Sequence, residues 1–350
     1  MPYARLTLLP SQQVLSVEEG ETILDAALRA GLNLPHSCKG GHCSACRARL
    51  VSGAVTYPLG PPLGITAQEE AAGMTLLCQA HAASPDLTVE IREIRPPVAE
   101  YHIYSLPCRI EHMHELAPGV MAVSLRLPAN EMFNFVAGQY IDIMLPQSRR
   151  RSFSIANPPH DARFIELHIR KVAGGEFTQQ LFNGMQEKTL LRIEGPLGQF
   201  WFREESQRPA LLIGGGTGYA PLRAMLRHLL ERGDQRPLHL YWGAQKPADL
   251  YEDAMLRELT QRFANFRYTP VLSNADASWR GRTGWVHEAA LEDHLQIHEF
   301  DVYASGPPVM VETIRQQFGE RGLPADQLFF DSFDFAPDSA QKLRNATHSS

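Results

Sequence analysis

The sequence predicts three successive folding units: a small α+β domain, an antiparallel β-barrel and a parallel α/β domain. Three observations lead to this prediction. Residues 1–98 combine alternating apolar runs with one helical stretch, residues 101–205 hold short strands at regular intervals, and residues 208–333 alternate apolar strands with helices. A length of 350 residues with 44% hydrophobic and 21% charged content is sufficient for two or three cores.

The first domain is predicted from the order of its patterns. ARLTLL and QVLSVE alternate in polarity as strands do, and ETILDAALRA has the spacing of an amphipathic helix. DLTVEIREI closes the segment as a further strand. The proline pair in REIRPPVAEYH then marks a linker to the second domain.

The second and third domains differ in the arrangement of their strands. GVMAVSLRLP, GQYIDIMLP, RRSFSIAN, FIELHIRKV and LLRIEG alternate in polarity, which predicts an antiparallel barrel. After residue 208, PALLIGGG, PLHLYWG and FDVYASG are apolar and each precedes a helical pattern, so a parallel sheet is expected. The polar stretch 336–350 is predicted to be a disordered tail.

Four cysteines carry the strongest chemical signal in the chain. Four residues separate Cys38 from Cys43, two separate Cys43 from Cys46, and a long stretch leads to Cys78. This spacing is typical of the ligands of a plant-type [2Fe-2S] cluster. Zinc is the main alternative, although zinc motifs usually bring their ligands in two close pairs; disulfides and plain buried thiols are the others. The fifth cysteine, Cys108, is expected to be a buried thiol in a strand.

A glycine run follows the first apolar strand of the third domain and enters a helix. Glycines let the backbone approach a diphosphate, and a helix N-terminus favours its negative charge. A tight turn without a ligand is the alternative, and the spacing departs from Gly-x-Gly-x-x-Gly, yet the strand-loop-helix context favours a dinucleotide. The candidate contacts are Gly215, Gly216, Thr217, Gly218 and Pro221.

Two segments of the second domain indicate a further phosphate-bearing heterocycle. In RRRSFS a guanidinium suits a diphosphate, an aromatic ring suits a flat heterocycle, and a hydroxyl suits a ring nitrogen. In GGEFT, which follows the strand ELHIRKV, the first amides of a helix suit phosphate oxygens. A solvated arginine cluster at a strand end is the alternative. The candidate residues are Arg151, Ser152, Phe153, Ser154, His168, Ile169, Gly174, Gly175 and Thr178.

Composition argues against several other classes of protein. A net charge of −6 offers no support for nucleic-acid binding, and no apolar stretch approaches the about 20 residues of a membrane helix. The N-terminus lacks the features of a signal peptide, so we expect a cytoplasmic location that keeps the thiols reduced. The 14 histidines are scattered, and no nucleophile-elbow motif supports hydrolysis.

With the cysteine loop, the RSFS segment and the glycine loop in this order, the sequence resembles the ferredoxin-reductase-type electron-transfer enzymes over residues 1 to about 333. The resemblance implies a β-grasp-like [2Fe-2S] ferredoxin domain at 1–98, an FAD-binding β-barrel at 101–205 and an NAD(P)H-binding α/β domain at 208–333. It implies an oxidoreductase that passes electrons from NADH to FAD, to the cluster and on to a partner protein. A flavin suits the middle position because it exchanges electrons singly or in pairs.

The resemblance also implies roles for individual residues. The family's flavin signature, Arg-x-Tyr-Ser, corresponds to residues 151–154, with phenylalanine for the tyrosine, which keeps the stacking ring and loses a hydroxyl. Its Cys-Gly-Pro-Pro motif corresponds to residues 305–308, with serine for the cysteine beside the nicotinamide. The residues implied in hydride transfer are Ser154, Ser305 and Asp331. Those implied in further cofactor contacts are Gly306, Pro307 and Phe333.

Members of this family differ in their electron acceptor. ILDAAL, RRRSFSIAN, IELHIRKV and FFDSF have near counterparts in bacterial reductases that supply a dehydrase of 3,6-dideoxysugar synthesis. The same architecture also serves aromatic-ring dioxygenases and multicomponent monooxygenases, and a redox sensor without turnover is the alternative of another class. NADH is favoured over NADPH because residues 243–246 hold one lysine and no arginine, with Asp249 nearby to repel a 2′-phosphate.

Overall fold

The computed structural model describes residues 3–32, 34–36, 39–41, 46–62, 64–91, 103–146 and 149–333. The chain divides into two compact units, of which the first comprises residues 1–103 with 197–199 and the second comprises the remainder. The predicted linker around residue 98 and the predicted tail at 336–350 lie outside the described residues.

The first unit is built around a mixed sheet with one main helix. Its elements are β1 (Tyr3–Leu9), β2 (Gln13–Glu18), α1 (Ile23–Arg29), β3 (Arg47–Ser52), β4 (Val55–Thr56), α2 (Ala67–Ala71), β5 (Met74–Leu76), β6 (His81–Ala82) and β7 (Asp86–Glu90). The sheet order is β2-β1-β7-β3-β5, with β1 and β7 parallel. The Thr22 hydroxyl caps α1 by accepting a hydrogen bond from the Asp25 N–H at 3.1 Å. This α+β arrangement confirms the prediction for the first domain.

The second unit begins with an antiparallel sheet that curves toward closure. Its elements are β8 (Tyr104–Ala117), β9 (Val120–Arg126), β10 (Tyr140–Met144), β11 (Arg150–Ser154), β12 (Ile165–Arg170), α3 (Glu176–Asn183) and β13 (Leu190–Leu197). The order is β11-β10-β13-β8-β9-β12, and an antiparallel bridge between Ile155 and Leu167 joins the two ends of the sheet. The predicted barrel is confirmed. Cys108 is buried in β8, and burial raises the pKa of its thiol to about 12, as expected for a plain buried thiol.

A parallel sheet forms the rest of the second unit. Its elements are β14 (Ala210–Gly215), α4 (Tyr219–Glu231), β15 (Leu238–Ala244), α5 (Asp253–Arg262), β16 (Phe266–Leu272), β17 (Arg282–Thr283), α6 (Val286–Asp293), β18 (Asp301–Gly306), α7 (Pro308–Glu320) and β19 (Leu328–Ser332). The order is β17-β16-β15-β14-β18-β19, and each pair of neighbours is parallel.

Two apolar clusters cover the faces of this parallel sheet. Leu212 and Leu240 belong to one cluster, whereas the neighbouring Leu211 and Tyr241 belong to the other. A strand that is buried on both faces reads as a continuous apolar run, which is why PALLIGGG predicted its strand correctly. Chain order reverses beside β14, and ligands of such sheets bind where the carboxyl ends of the strands diverge. Among the described residues, no helix is long and apolar enough to cross a membrane.

Candidate functional site

Two of the four predicted cluster ligands lie among the described residues, and they are neighbours. Cys46 precedes β3, Cys78 follows β5, and the Leu77 N–H donates a hydrogen bond to the Cys46 carbonyl oxygen at 3.1 Å. Both cysteines are buried. Cys38 and Cys43 lie outside the described residues. The described pair fits two adjacent ligands of one cluster.

The described part of the cysteine loop is held by the residue that follows Cys78. The Gln79 side-chain amide donates hydrogen bonds to the carbonyl oxygens of Lys39, at 2.8 Å, and Cys78, at 2.9 Å. Gly41 has a φ of +80°, and a β-carbon there would lie 2.8 Å from Gln79 Cγ and 3.0 Å from Pro62 Cβ. The loop therefore requires glycine for both conformation and space.

Strand β11 carries the predicted flavin contacts, and the three arginines at and just before its start have different environments. Arg149 pairs with Glu176 at 2.7 Å, and Arg150 pairs with Glu194. These two guanidiniums are bound to protein carboxylates. Arg151 follows them in the strand, and its Nη1 donates to the Arg150 carbonyl oxygen at 2.8 Å.

The remaining residues of the RSFS segment alternate along β11. The Phe153 ring packs on Phe177 with ring centroids 5.6 Å apart, and it is half-buried. The Ser152 hydroxyl donates to Asp142 Oδ1 at 2.5 Å, and that carboxylate is fully buried. Consecutive side chains of an extended strand point to opposite faces, so the Phe153 ring and the Ser152 hydroxyl lie on opposite faces of β11.

The predicted second phosphate segment leads into α3. The Thr178 hydroxyl accepts a hydrogen bond from the Val172 N–H at 3.1 Å and donates toward the Gly175 carbonyl oxygen at 3.1 Å. This hydroxyl closes the turn before α3. Gly174 has a φ of +69°, and α3 begins after Gly175 without a side-chain cap. Main-chain amides are therefore the donors that this segment offers to a phosphate.

The side chains of His168 and Ile169 face the protein interior. The His168 ring nitrogens lie 3.1 Å from the Tyr251 hydroxyl and 3.1 Å from Glu166 Oε1. Ile169 is in the barrel core. Any cofactor contact of this predicted pair would come from its main chain.

The predicted nucleotide loop lies at the carboxyl end of β14. Gly215 pairs with Gly243 of β15, Gly216 has a φ of +55°, and a short 3₁₀ turn over Gly216–Gly218 leads into α4. A β-carbon on Gly218 would lie 2.1 Å from the Ser305 carbonyl oxygen. The loop is thus pressed against the end of β18. Thr217 lies within the turn, and Pro221 is buried in the first turn of α4.

The three residues implied in hydride transfer converge although they are far apart in sequence. The Ser154 hydroxyl donates to Asp331 Oδ2 at 3.2 Å, and Asp331 stands beside Ser305 in the pairing of β18 with β19. Ser305 is fully buried, and its Oγ has no hydrogen-bond partner among the described residues. A buried hydroxyl without a partner is costly, so this atom fits a site where a bound cofactor supplies the missing polar group.

The Gly-Pro-Pro segment borders the same site. Gly306 has a φ of +151°, and a β-carbon there would lie 3.1 Å from the Gly215 nitrogen. Pro307 approaches Gly215 as well, because a β-carbon on Gly215 would lie 3.0 Å from Pro307 Cδ. The Phe333 N–H donates to the Gly306 carbonyl oxygen at 2.9 Å. Gly306, Pro307 and Phe333 are thus gathered around the nucleotide loop.

Two residues beside the nucleotide loop were not predicted from the sequence. Arg170, the last residue of β12, has Nη2 at 3.4 Å from the position of a β-carbon on Gly216, and its guanidinium pairs with no carboxylate in the described part of the chain. Trp242 donates its indole N–H to the Gly216 carbonyl oxygen at 2.9 Å. Arg170 could have been identified from the sequence as an arginine that ends a strand just before a glycine segment.

The segment expected to discriminate between NADH and NADPH follows β15. Asp249 Oδ2 accepts a hydrogen bond from the Lys246 N–H at 3.0 Å and so closes a turn. Lys246 is exposed. A carboxylate within this turn fits the expectation that a 2′-phosphate is disfavoured here.

Three family models match successive parts of the chain. A 2Fe-2S iron-sulfur cluster binding domain matches residues 6–83, an oxidoreductase FAD-binding domain matches 107–202, and an oxidoreductase NAD-binding domain matches 212–316. The predicted [2Fe-2S] cluster, FAD and NADH are thereby confirmed, and the family match favours iron-sulfur over zinc in the first domain.

Relatives of known function cover nearly the whole chain. The CDP-6-deoxy-L-threo-D-glycero-4-hexulose-3-dehydrase reductase of Yersinia pestis is 37% identical over 93% of this chain and 97% of its own length. The phenol 2-monooxygenase reductase component DmpP of Pseudomonas sp. is 33% identical over 96% of each chain. The crystal structure of the Amycolatopsis cytochrome P450 reductase GcoB matches with a TM-score of 0.80 at 31% identity, over 94% of this chain and 98% of that chain.

These matches agree with the order of the cysteine loop, the flavin strand and the nucleotide loop along the chain. The relatives are reductases, so the chain is an enzyme. It belongs to the ferredoxin-reductase-type family of iron-sulfur flavoprotein oxidoreductases, which transfer electrons from NADH through FAD to a [2Fe-2S] cluster.

Proposed function

We propose that this reductase delivers its electrons to an iron-sulfur dehydrase that acts on a CDP-6-deoxyhexulose in 3,6-dideoxysugar synthesis. The observation that carries the proposal is the end-to-end similarity, at 37% identity, to the dehydrase reductases of two Yersinia species. The motifs that resemble bacterial CDP-6-deoxy-3,4-glucoseen reductase support the same acceptor.

We propose that β11 and the start of α3 hold the FAD. Arg151 is suited to its diphosphate, and Phe153 is suited to stacking because its ring is half-buried against Phe177. Gly174 and Gly175 leave the first amides of α3 open to phosphate oxygens. Bound FAD supplies the exchange between paired electrons from NADH and single electrons for iron.

The nicotinamide end of NADH is proposed to lie at the carboxyl edge of the parallel sheet, where the nucleotide loop packs on the end of β18. The glycines of residues 215–218 let the backbone approach the diphosphate, and Arg170 offers a charge beside Gly216. The Ser154 hydroxyl and the Asp331 carboxylate lie in hydrogen-bond contact, so they are suited to hold and pass a proton at the flavin. Ser305 Oγ, buried beside them, is suited to orient the nicotinamide.

The cluster is proposed to be held by Cys38, Cys43, Cys46 and Cys78 and to be the point from which electrons leave. The adjacency of Cys46 and Cys78 supports this ligand set. A cytoplasmic location is proposed because the ligand thiols must stay reduced.

A reconstituted assay tests the acceptor. The purified reductase is mixed under anaerobic conditions with NADH, CDP-6-deoxy-L-threo-D-glycero-4-hexulose-3-dehydrase and the dehydrase substrate. We expect NADH oxidation that requires both the dehydrase and the CDP-sugar. Full ferricyanide reduction by the same preparation, with no sugar-dependent NADH oxidation, would contradict the proposed acceptor while leaving the electron-transfer activity intact.

The second candidate acceptor is the oxygenase component of a multicomponent monooxygenase. The phenol hydroxylase P5 protein of Acinetobacter pittii is 34% identical over 88% of this chain, only slightly less than the dehydrase reductases. In a parallel assay, NADH oxidation that depends on a phenol hydroxylase oxygenase and on phenol would favour this candidate.

A further inference from the structure

A row of buried contacts connects the nucleotide loop with the end of the flavin strand. We call it the Arg223 bridge, and its members are Gly216, Trp242, Tyr219, Glu252, Arg223 and Ala156. The first member is in the nucleotide loop, and the last lies two residues beyond Ser154. The bridge therefore connects the segments proposed to hold the two reacting cofactors.

At the nucleotide end, aromatic side chains hold the loop. The Trp242 indole N–H donates to the Gly216 carbonyl oxygen at 2.9 Å. The Tyr219 ring stacks on Trp242 with centroids 4.0 Å apart and an interplanar angle of 19°. Both rings are fully buried, so the position of Gly216 is fixed by packing as well as by the hydrogen bond.

At the flavin end, an ion pair continues the bridge. The Tyr219 hydroxyl donates to Glu252 Oε2 at 2.7 Å, and Arg223 Nε donates to the same oxygen at 2.8 Å. Arg223 Nη1 then donates to the Ala156 carbonyl oxygen at 2.9 Å. One guanidinium thus joins α4 of the parallel sheet to the backbone that follows Ser154.

The ion pair between Arg223 and Glu252 is largely shielded from solvent. The side chains of Arg223 and Glu252 are 11% and 15% exposed, and Glu166 Oε1 lies a further 3.4 Å from Arg223 Nη1. Burial pushes the pKa of Glu166 upward, but the hydrogen bond with His168 and the charge of Arg223 outweigh burial and lower that pKa to about 2. Removal of Glu252 would leave only the longer contact with Glu166 to compensate the buried charge of Arg223.

We propose that Arg223 and Glu252 are positioning residues for hydride transfer: they set the separation between the nucleotide loop and the flavin strand. Hydride transfer needs the reacting atoms about 3–3.5 Å apart, and a shift of about 1 Å costs on the order of 100-fold in rate. Neither residue needs to touch a cofactor for this role. The inference rests on the proposed placement of FAD at Ser154 and of NADH at Gly216.

Stopped-flow reduction of the holoenzyme by NADH under anaerobic conditions tests the role. We expect Glu252→Gln to lower the limiting rate of flavin bleaching, per bound FAD, at least about 10-fold. The NADH concentration that gives half the limiting rate should change less than about threefold, because the diphosphate contacts remain. Flavin-to-cluster transfer after reduction by dithionite should keep its wild-type rate.

Two further variants provide a control and a substitute for Glu252→Gln. Arg227→Gln, one turn along α4, removes a partly exposed ion pair with Glu231 and should change the limiting rate less than about twofold. Tyr219→Phe removes only the hydroxyl group from the bridge, and it replaces Glu252→Gln as the test if that variant does not retain FAD. We expect its limiting rate of flavin bleaching to be about fivefold lower than that of the wild type.

The possible outcomes separate this inference from the proposed function. Wild-type limiting rates in Glu252→Gln and Tyr219→Phe, or an equal loss in Arg227→Gln, would overturn the positioning role. Failure of NADH to bleach the flavin of the wild-type protein would instead refute the placement of the cofactors.

Discussion

Replacement of Gly218 by alanine is the sharpest perturbation that the nucleotide loop offers. A β-carbon there would lie 2.1 Å from the Ser305 carbonyl oxygen and 2.7 Å from Gly306 Cα, where real β-carbons essentially never approach closer than 3.0 Å. The loop and the end of β18 must therefore separate by about 1 Å, a misplacement that costs on the order of 100-fold in hydride transfer. The backbone of Gly218, with φ −59° and ψ −13°, suits alanine, so the effect is purely steric.

The assay for Gly218→Ala is stopped-flow bleaching of the flavin by NADH, with the FAD and iron content of each preparation measured alongside. Gly319→Ala is the matched control, because Gly319 lies within α7 and a β-carbon there meets nothing within 4 Å. We expect the control to keep the wild-type rate and to gain about 0.5–1 kcal/mol in stability. A wild-type rate of flavin bleaching in Gly218→Ala would refute the close approach of this loop to β18.

Three further predictions concern the cluster loop, the nucleotide diphosphate and the pH dependence of stability. Gly41→Ala should lose iron, measured per FAD, because its β-carbon would collide with Gln79. Gly31→Ala is the control, because Gly31 has a similar φ of +78° and a β-carbon there has no neighbour within 4 Å, so this variant should retain iron. Equal iron contents in the two variants would contradict the prediction. Arg170→Leu should raise the NADH KM about 10-fold with a nearly unchanged limiting rate, since a charge-assisted contact contributes about 1.5–3 kcal/mol; an unchanged KM would exclude the contact. Burial, and next the nearby His294, lower the pKa of His239 to about 4. As the pH falls from about 6.5 toward 4, the His239 imidazole binds a proton in the unfolded protein before it does so in the folded protein. The free energy of unfolding therefore declines across that window, by roughly 1 kcal/mol at pH 5.5. The melting temperature of His239→Gln should fall less than that of the wild type between pH 7.5 and pH 5.5, and parallel declines would show that His239 is not responsible.

The elements that could be predicted from the sequence are those with an unambiguous local pattern. PALLIGGG is apolar on both faces, so it predicted a buried parallel strand, and the structure places β14 at the centre of its sheet. The alternation in RRSFSIAN and FIELHIRKV likewise predicted β11 and β12. Such patterns report which side chains are buried, and burial of apolar surface is the main driving force of folding, so they hold without any knowledge of the packing partners.

Contacts between distant segments could not be predicted in the same way. Ser154 and Asp331 are 177 positions apart, and their hydrogen bond depends on how the barrel and the parallel sheet are packed. Thr178 is predicted as a phosphate contact, and the sequence did not indicate that its hydroxyl also closes the turn before α3. His168 stays a predicted cofactor contact, and the sequence did not indicate that Glu166 and the Tyr251 hydroxyl hold its two ring nitrogens. Residue type alone does not report which neighbours satisfy a polar group.

The most direct test of the electron relay is anaerobic reduction by NADH, followed by visible absorption for the flavin and by electron paramagnetic resonance for the cluster. The relay predicts that the flavin band bleaches first and that the signal of a reduced [2Fe-2S] cluster appears afterwards, at a rate independent of the NADH concentration. A fully bleached flavin with a cluster that stays oxidised, or a cluster reduced before the flavin, would contradict the order NADH to FAD to [2Fe-2S].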